Sequence, residues 1–122
     1  MEPTKSFEEL SAWKKSHEFV LEVYKITEQF PKNEVFGLTS QFRRASISIA
    51  ANIAEGYKKK GKNDKLRFYN ISQGSLEECK YYLILSKDLK YISKEQWSDM
   101  SDRLNEASKL LNTYCRAIAD SD

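Results

Sequence analysis

Residues 93–119 read SKEQWSDMSDRLNEASKLLNTYCRAIA, and the order of residue types in this stretch decides the fold class. Ser93 followed three positions later by Gln96 is a capping box: the serine oxygen accepts from a first-turn N–H, and the glutamine reaches back to the cap. Beyond it Trp97, Met100, Leu104, Ala107, Leu111, Tyr114 and Ile118 recur at spacings of 3 and 4, a single apolar stripe on a charged helix. A helix over residues 94–119 with one apolar side needs partners to cover that side. The rest of the chain supplies three.

Upstream, residues 64–90 form a second helical unit, with Asn63 or Asp64 placed to cap it. Its stripe of Phe68, Ser72, Ser75, Cys79, Tyr82, Ser86 and Leu89, with Leu76 and Leu83 beside it, is unusually small and polar. Such a stripe implies close helix approach or a network of hydroxyls. Before it, residues 38–56 carry Leu38, Phe42, Ala45, Ile49 and Ile53, widened by Ile47, Ala50 and Ala54, and Gly56 is positioned as a left-handed C-cap. The first helix is predicted over residues 7–30, opened by a capping box of Ser6 and Glu9 and closed by Phe30-Pro31. Leu10, Trp13, His17, Val20, Tyr24 and Thr27 make one stripe on it, and Phe19, Val23, Ile26 and Phe30 a second. Short connections between long helices require antiparallel neighbours. The expected fold is therefore all-α: one domain over residues 1–122, an antiparallel up-down-up-down left-handed four-helix bundle.

Composition narrows the functional classes. At 122 residues the chain can bury a core without staples. The charged N-terminus lacks the apolar run of a secretory signal or membrane span, so a cytoplasmic location is expected. Cys79 and Cys115 fall in helical stripes outside any metal-like spacing and read as buried reduced thiols. His17 is the sole histidine, which excludes the Glu-x-x-His pairs of a di-metal bundle, and on an apolar stripe it reads as a hydrogen-bonded core residue. No metal or cofactor is expected.

Charge is concentrated locally. Residues 56–67 hold six basic side chains and one acidic, +5 in a chain whose net charge is +2. These are Lys58, Lys59, Lys60, Lys62, Lys65 and Arg67. A lysine-rich connection is ordinarily a solvated loop, but an up-down bundle brings the start of the first helix to the same pole. Lys14 and Lys15 would join the cluster there, where a phosphate backbone can dock. Tyr57 and Tyr69 flank it as candidate stacking residues. Arg43 and Arg44, about 100° apart on the second helix, cannot face the same way, and one is expected to pair with a carboxylate at an interface. Asn52, Glu55, Ser72 and Ser75 supply no set of nucleophile, base and orienter; they read as a structural or interfacial hydrogen-bond network. Two apolar stripes on each of the first two helices exceed the needs of a solitary bundle and predict self-association.

The stretch Gly37-Leu38-Thr39-Ser40-Gln41-Phe42-Arg43-Arg44-Ala45, continuing to Asn52-Ile53-Ala54-Glu55-Gly56, resembles the bacterial four-helix-bundle proteins encoded by intervening sequences of 23S ribosomal RNA genes. Phe7-Glu8-Glu9-Leu10-Ser11-Ala12-Trp13, the Phe30-Pro31 stop and Gly74-Ser75-Leu76-Glu77-Glu78 follow the same pattern in the same order. The resemblance implies a non-enzymatic homopentamer. The chain is also similar to the accessory variability determinant of diversity-generating retroelements, which implies RNA or DNA and a reverse transcriptase as partners. The expected function is a nucleic-acid-binding oligomer serving an RNA-handling partner; the alternative is a protein-interaction scaffold.

Overall fold

The computed structural model describes residues 4–121. Their order is a single 3-10 turn (Phe7–Glu9), α1 (Ser11–Thr27), a second 3-10 turn (Lys32–Glu34), α2 (Leu38–Lys58), α3 (Lys62–Asp88) and α4 (Lys94–Ala119). No strand occurs among the described residues. Each helix packs on its neighbour in the chain, and α1 closes the ring against α4.

α4 starts as its sequence dictates. Gln96 N–H donates to the Ser93 hydroxyl at 3.0 Å, and Ser93 N–H donates to the Gln96 side chain at 2.8 Å. The α1 start differs from expectation. Ser6 accepts from Glu8 N–H at 2.9 Å and caps only one 3-10 turn, because Leu10 adopts an extended conformation (φ −73°, ψ 125°) to reach the core. That break brings the edge of Phe7 onto Trp13, with ring centroids 5.1 Å apart. α1 also ends before Phe30, which turns inward.

The buried face of α1 is Ala12, Ser16, Phe19, Val20, Val23, Ile26 and Thr27. The core therefore centres on the stripe of Phe19, Val23 and Ile26. His17 and Tyr24 are exposed, which corrects the reading of His17 as a core residue. Its ring instead stacks on Trp13, with centroids 4.9 Å apart and planes 6° from parallel.

The α2–α3 seam is close and polar. Ser72 donates to the Ile49 carbonyl at 2.8 Å, Ser75 to the Ser48 hydroxyl at 2.9 Å, and the Asn52 amide to the Ser48 carbonyl at 2.9 Å. Short hydroxyls keep the helix axes near and satisfy buried polar atoms at once. Gly56 serves this seam and is not a C-cap: α2 runs on to Lys58, and none of the described glycines has positive φ. A Cβ on Gly56 would sit 2.6 Å from the Tyr69 ring, so only glycine admits that ring. The left-handed residue that ends a helix is Lys90 (φ 64°), after α3. α3 begins at Lys62 with Gly61 at its cap, and neither Asn63 nor Asp64 occupies the cap position; Asp64 lies in the first turn.

Hydrogen bonds gather the helix ends at two poles. At one, Tyr57 donates to the Thr4 carbonyl at 2.9 Å and Lys62 donates to the Ser121 carbonyl at 2.6 Å, uniting the chain before α1, the α2–α3 turn and the end of α4. At the other, Gln29 reaches the Tyr91 carbonyl at 2.8 Å and Tyr91 donates to Glu34 at 2.7 Å. The Tyr91 bond, and that from Leu38 N–H, hold the Glu34 carboxyl below the usual carboxylate range. Successive helices thus alternate in direction.

Candidate nucleic-acid interface

The α2–α3 turn spans only residues 59–61, so its lysines are forced into a small area at the pole. They do different work. Lys65 donates to two carbonyls in the last turn of α2, Tyr57 at 2.6 Å and Gly56 at 3.3 Å, and so helps tie off the helix end. Burial there pushes the Lys65 ammonium below its ordinary pKa. Lys62 is held by the Ser121 carbonyl. These two belong to the frame.

Lys59 and Arg67 converge on Phe68, with the Lys59 Nζ 4.9 Å and the Arg67 Cζ 5.1 Å from the ring centroid. Arg67 also reaches Asp64 at 3.3 Å in an exposed pair, which contributes little to stability. Lys58, Lys60 and Lys14 are exposed, and among the described residues their side chains form no hydrogen bond or ion pair. Lys15 turns along the α1–α4 groove to Glu18 at 3.3 Å and Glu106 at 3.7 Å, and leaves the cluster. The uncommitted set is therefore Lys58 and Lys60, with Lys59 and Arg67 beside them and Lys14 one turn along α1.

Neither candidate tyrosine is available for stacking. Tyr57 is tied through its hydroxyl to the Thr4 carbonyl and carries Lys65 at 5.4 Å from its ring centre. Tyr69 is fully buried. The aromatic ring that Lys59 and Arg67 touch is the half-buried Phe68, which the helical stripe assigned to the core. The available clue was its position directly after Arg67.

The other polar candidates separate in the same way. Arg43 donates to Thr27 Oγ1 at 2.9 Å and to the Tyr24 carbonyl at 3.4 Å, and stacks 4.5 Å over the Tyr24 ring. It closes the end of α1 from within the chain. Arg44 points into an open trough with Gln41, Ser48, Ser75 and Glu78. Asn52 is satisfied by Ser48, whereas Glu55 is exposed with no side-chain partner among the described residues. Cys79 is buried and Cys115 only half so; burial pushes both thiols up. No described helix is long and apolar enough to cross a membrane.

The model of the 23S rRNA-intervening sequence protein family matches residues 8–113. The chain belongs to that family. Its bundle is similar to a solved structure described as a protein with unknown function from the S23 ribosomal protein family of Bacteroides thetaiotaomicron. The two share 27% identity and a TM-score of 0.79, over 85% of this chain and 97% of the other. A comparison with curated proteins found no match. The segments that carry the intervening-sequence pattern meet in three dimensions: Gln41 and Arg44, Ser48 four residues on, and Ser75 and Glu78 line a shared trough between α2 and α3.

Proposed function

We propose that this intervening-sequence protein is a non-enzymatic homopentamer that binds nucleic acid weakly, with little sequence preference, through the pole bearing Lys58, Lys59, Lys60 and Arg67. The observation that carries the reading is the division of labour among the cations. Lys62 and Lys65 are spent on backbone carbonyls, while Lys58 and Lys60 stand exposed without partners among the described residues, in a segment of +5. A frame built to hold cations outward suits a phosphate backbone. Exposed Leu21, Val35, Ile47, Tyr81 and above all Phe36, 94% exposed, support self-association. The number five rests on the family resemblance, and a ring would repeat the pole about its axis and raise avidity about 10²–10⁴-fold.

The test is a titration of labelled RNA and duplex DNA at low and moderate salt, with light scattering on the same samples. Log affinity should fall against log salt with a slope near −0.7 to −0.9 per phosphate contact. Changing Lys58, Lys59 and Lys60 together to Ala should weaken binding without altering the oligomer. Equal binding by the two proteins refutes the nucleic-acid reading. A protein-interaction scaffold, which the exposed Phe36 also favours, would then take its place, and a stable 14.2 kDa monomer would remove the pentamer.

A further inference from the structure

We infer that Phe68 is a base-stacking residue and that the pole prefers single-stranded over duplex nucleic acid; this rests on the nucleic-acid reading above. Phe68 is half-buried, yet it is absent from both the core and the partly buried layer packed on it. Its backbone is pinned: the Phe68 Cβ lies 3.1 Å from where a Cβ on Gly56 would stand, so the side chain leaves α3 hard against the end of α2. The ring emerges between Lys59 and Arg67, both within 5.1 Å of its centroid.

A lone half-exposed ring is ordinary on a protein surface. A ring fixed at its base, in contact with two cations and beside the exposed Lys58 and Lys60, combines the two elements that bind a single strand: a π-face for a base and positive charge for the adjoining phosphates. Arg67, with a side chain 67% exposed and Asp64 as its ion partner among the described residues, can move from the ring to a phosphate when a base arrives. A duplex keeps its base faces stacked internally and offers the pole only its phosphates. The cations therefore serve both forms, whereas Phe68 serves the unpaired one. Stacking on a phenyl ring does not distinguish ribose from deoxyribose, so the shared ligand is a strand with unpaired bases.

The experiment measures binding of wild type, Phe68→Leu and the Lys58→Ala/Lys60→Ala double variant to one mixed-sequence strand as RNA, as DNA, as abasic DNA and as duplex. Wild type should favour the single strands over duplex. Phe68→Leu should lose about fivefold or more on single strands and less than twofold on duplex, since a stacked base contributes on that scale. The lysine variant should weaken on all forms alike. RNA and DNA form separate arms, and the loss on Phe68→Leu in each shows whether that strand uses the ring. The abasic strand makes the same test with unaltered protein and should fall to the duplex level. Equal loss by Phe68→Leu on single strands and duplex, no loss on either, or an abasic strand bound like the intact one overturns the stacking role while leaving the basic pole standing. Absence of binding to every form at low salt overturns both.

Discussion

Tyr69 enters the core with its ring against Gly56 and 5.4 Å from that of Tyr114, and its hydroxyl is the buried side-chain polar atom left without a hydrogen-bond partner among the described residues. Changing Tyr69 to Phe deletes that oxygen and keeps the ring. A buried hydroxyl without a partner costs about 1–3 kcal/mol. Against this stand the few dispersion contacts of one oxygen, roughly 0.1–0.2 kcal/mol each. The variant should be more stable by about 1 kcal/mol at pH 7, a rise of about 4 °C in Tm for a domain of this size. Alkali provides a second readout. Burial first, and the neighbouring Tyr114 next, push the Tyr69 phenol far above its ordinary value near 10. Above that pH the unfolded chain releases the proton and the folded chain keeps it, so the Tyr69 contribution is intact below about pH 10 and falls by up to about 1.4 kcal/mol per pH unit beyond it. Tyr82, pushed up to about 12, and the Cys79 and Cys115 thiols, raised by burial, add to the decline in both proteins, the thiols from a lower pH. The difference between the two curves isolates Tyr69, and it should widen from pH 10 upward. Urea unfolding at fixed protein concentration across pH 7–11.5 measures both effects. A variant less stable by more than about 1 kcal/mol at pH 7, or curves that run parallel above pH 10, would refute the reasoning.

Gly56→Ala sets a helix-propensity gain of up to about 1 kcal/mol against a clash at 2.6 Å with an immobile ring, and overpacking of that kind costs about 1–3 kcal/mol; thermal unfolding should show a net loss of about 1 kcal/mol. Ser93→Ala removes the hydroxyl that accepts from Gln96 N–H, while the backbone N–H at 93 still donates to the Gln96 side chain, and should lower stability by about 1 kcal/mol, measured by urea unfolding followed by circular dichroism. Lys65→Met keeps the stem and removes the donor to the α2 carbonyls, so stability should drop by about 1 kcal/mol while nucleic-acid affinity stays within about twofold. Lys58→Ala should do the reverse, with unchanged unfolding and weaker binding.

The family pattern and the four helices were legible because capping and periodicity are local. Ser93 and Gln96 meet as their spacing requires, and Met100, Leu104, Ala107 and Leu111 face inward without a break. Which of two adjacent stripes on α1 forms the core is not local: Trp13, His17 and Tyr24 repeat as regularly as Phe19, Val23 and Ile26, and only the packing of α2 and α4 selects between them. Gly56 has a similar double meaning. A glycine at a helix end satisfies either a left-handed turn or a close approach, and the partner that decides, Tyr69, lies thirteen residues further on. At the pole the cations were visible as a composition, but a lysine that donates to a carbonyl and one that faces solvent look alike in sequence. Phe68 was hidden for the complementary reason, since an aromatic residue on an apolar repeat is assigned to the interior until the neighbouring helix is seen to end beside it.

The serine-lined seam between α2 and α3 also bears on the order in which the chain assembles. A turn of three residues, 59–61, joins the two helices, so their contacts close short loops, whereas α1 and α4 meet only after most of the chain has been brought together. Local closure costs less entropy and forms sooner. Ser72 and Ser75 then act as a ratchet: sliding α3 by one turn would strand their hydroxyls, so the hairpin commits to one register before the outer helices arrive. Substitutions along the seam should slow refolding, while those where α1 meets α4 should chiefly hasten unfolding. The sequence of events would run from the basic pole outward, with the turn that carries Lys59 and Lys60 ordered first.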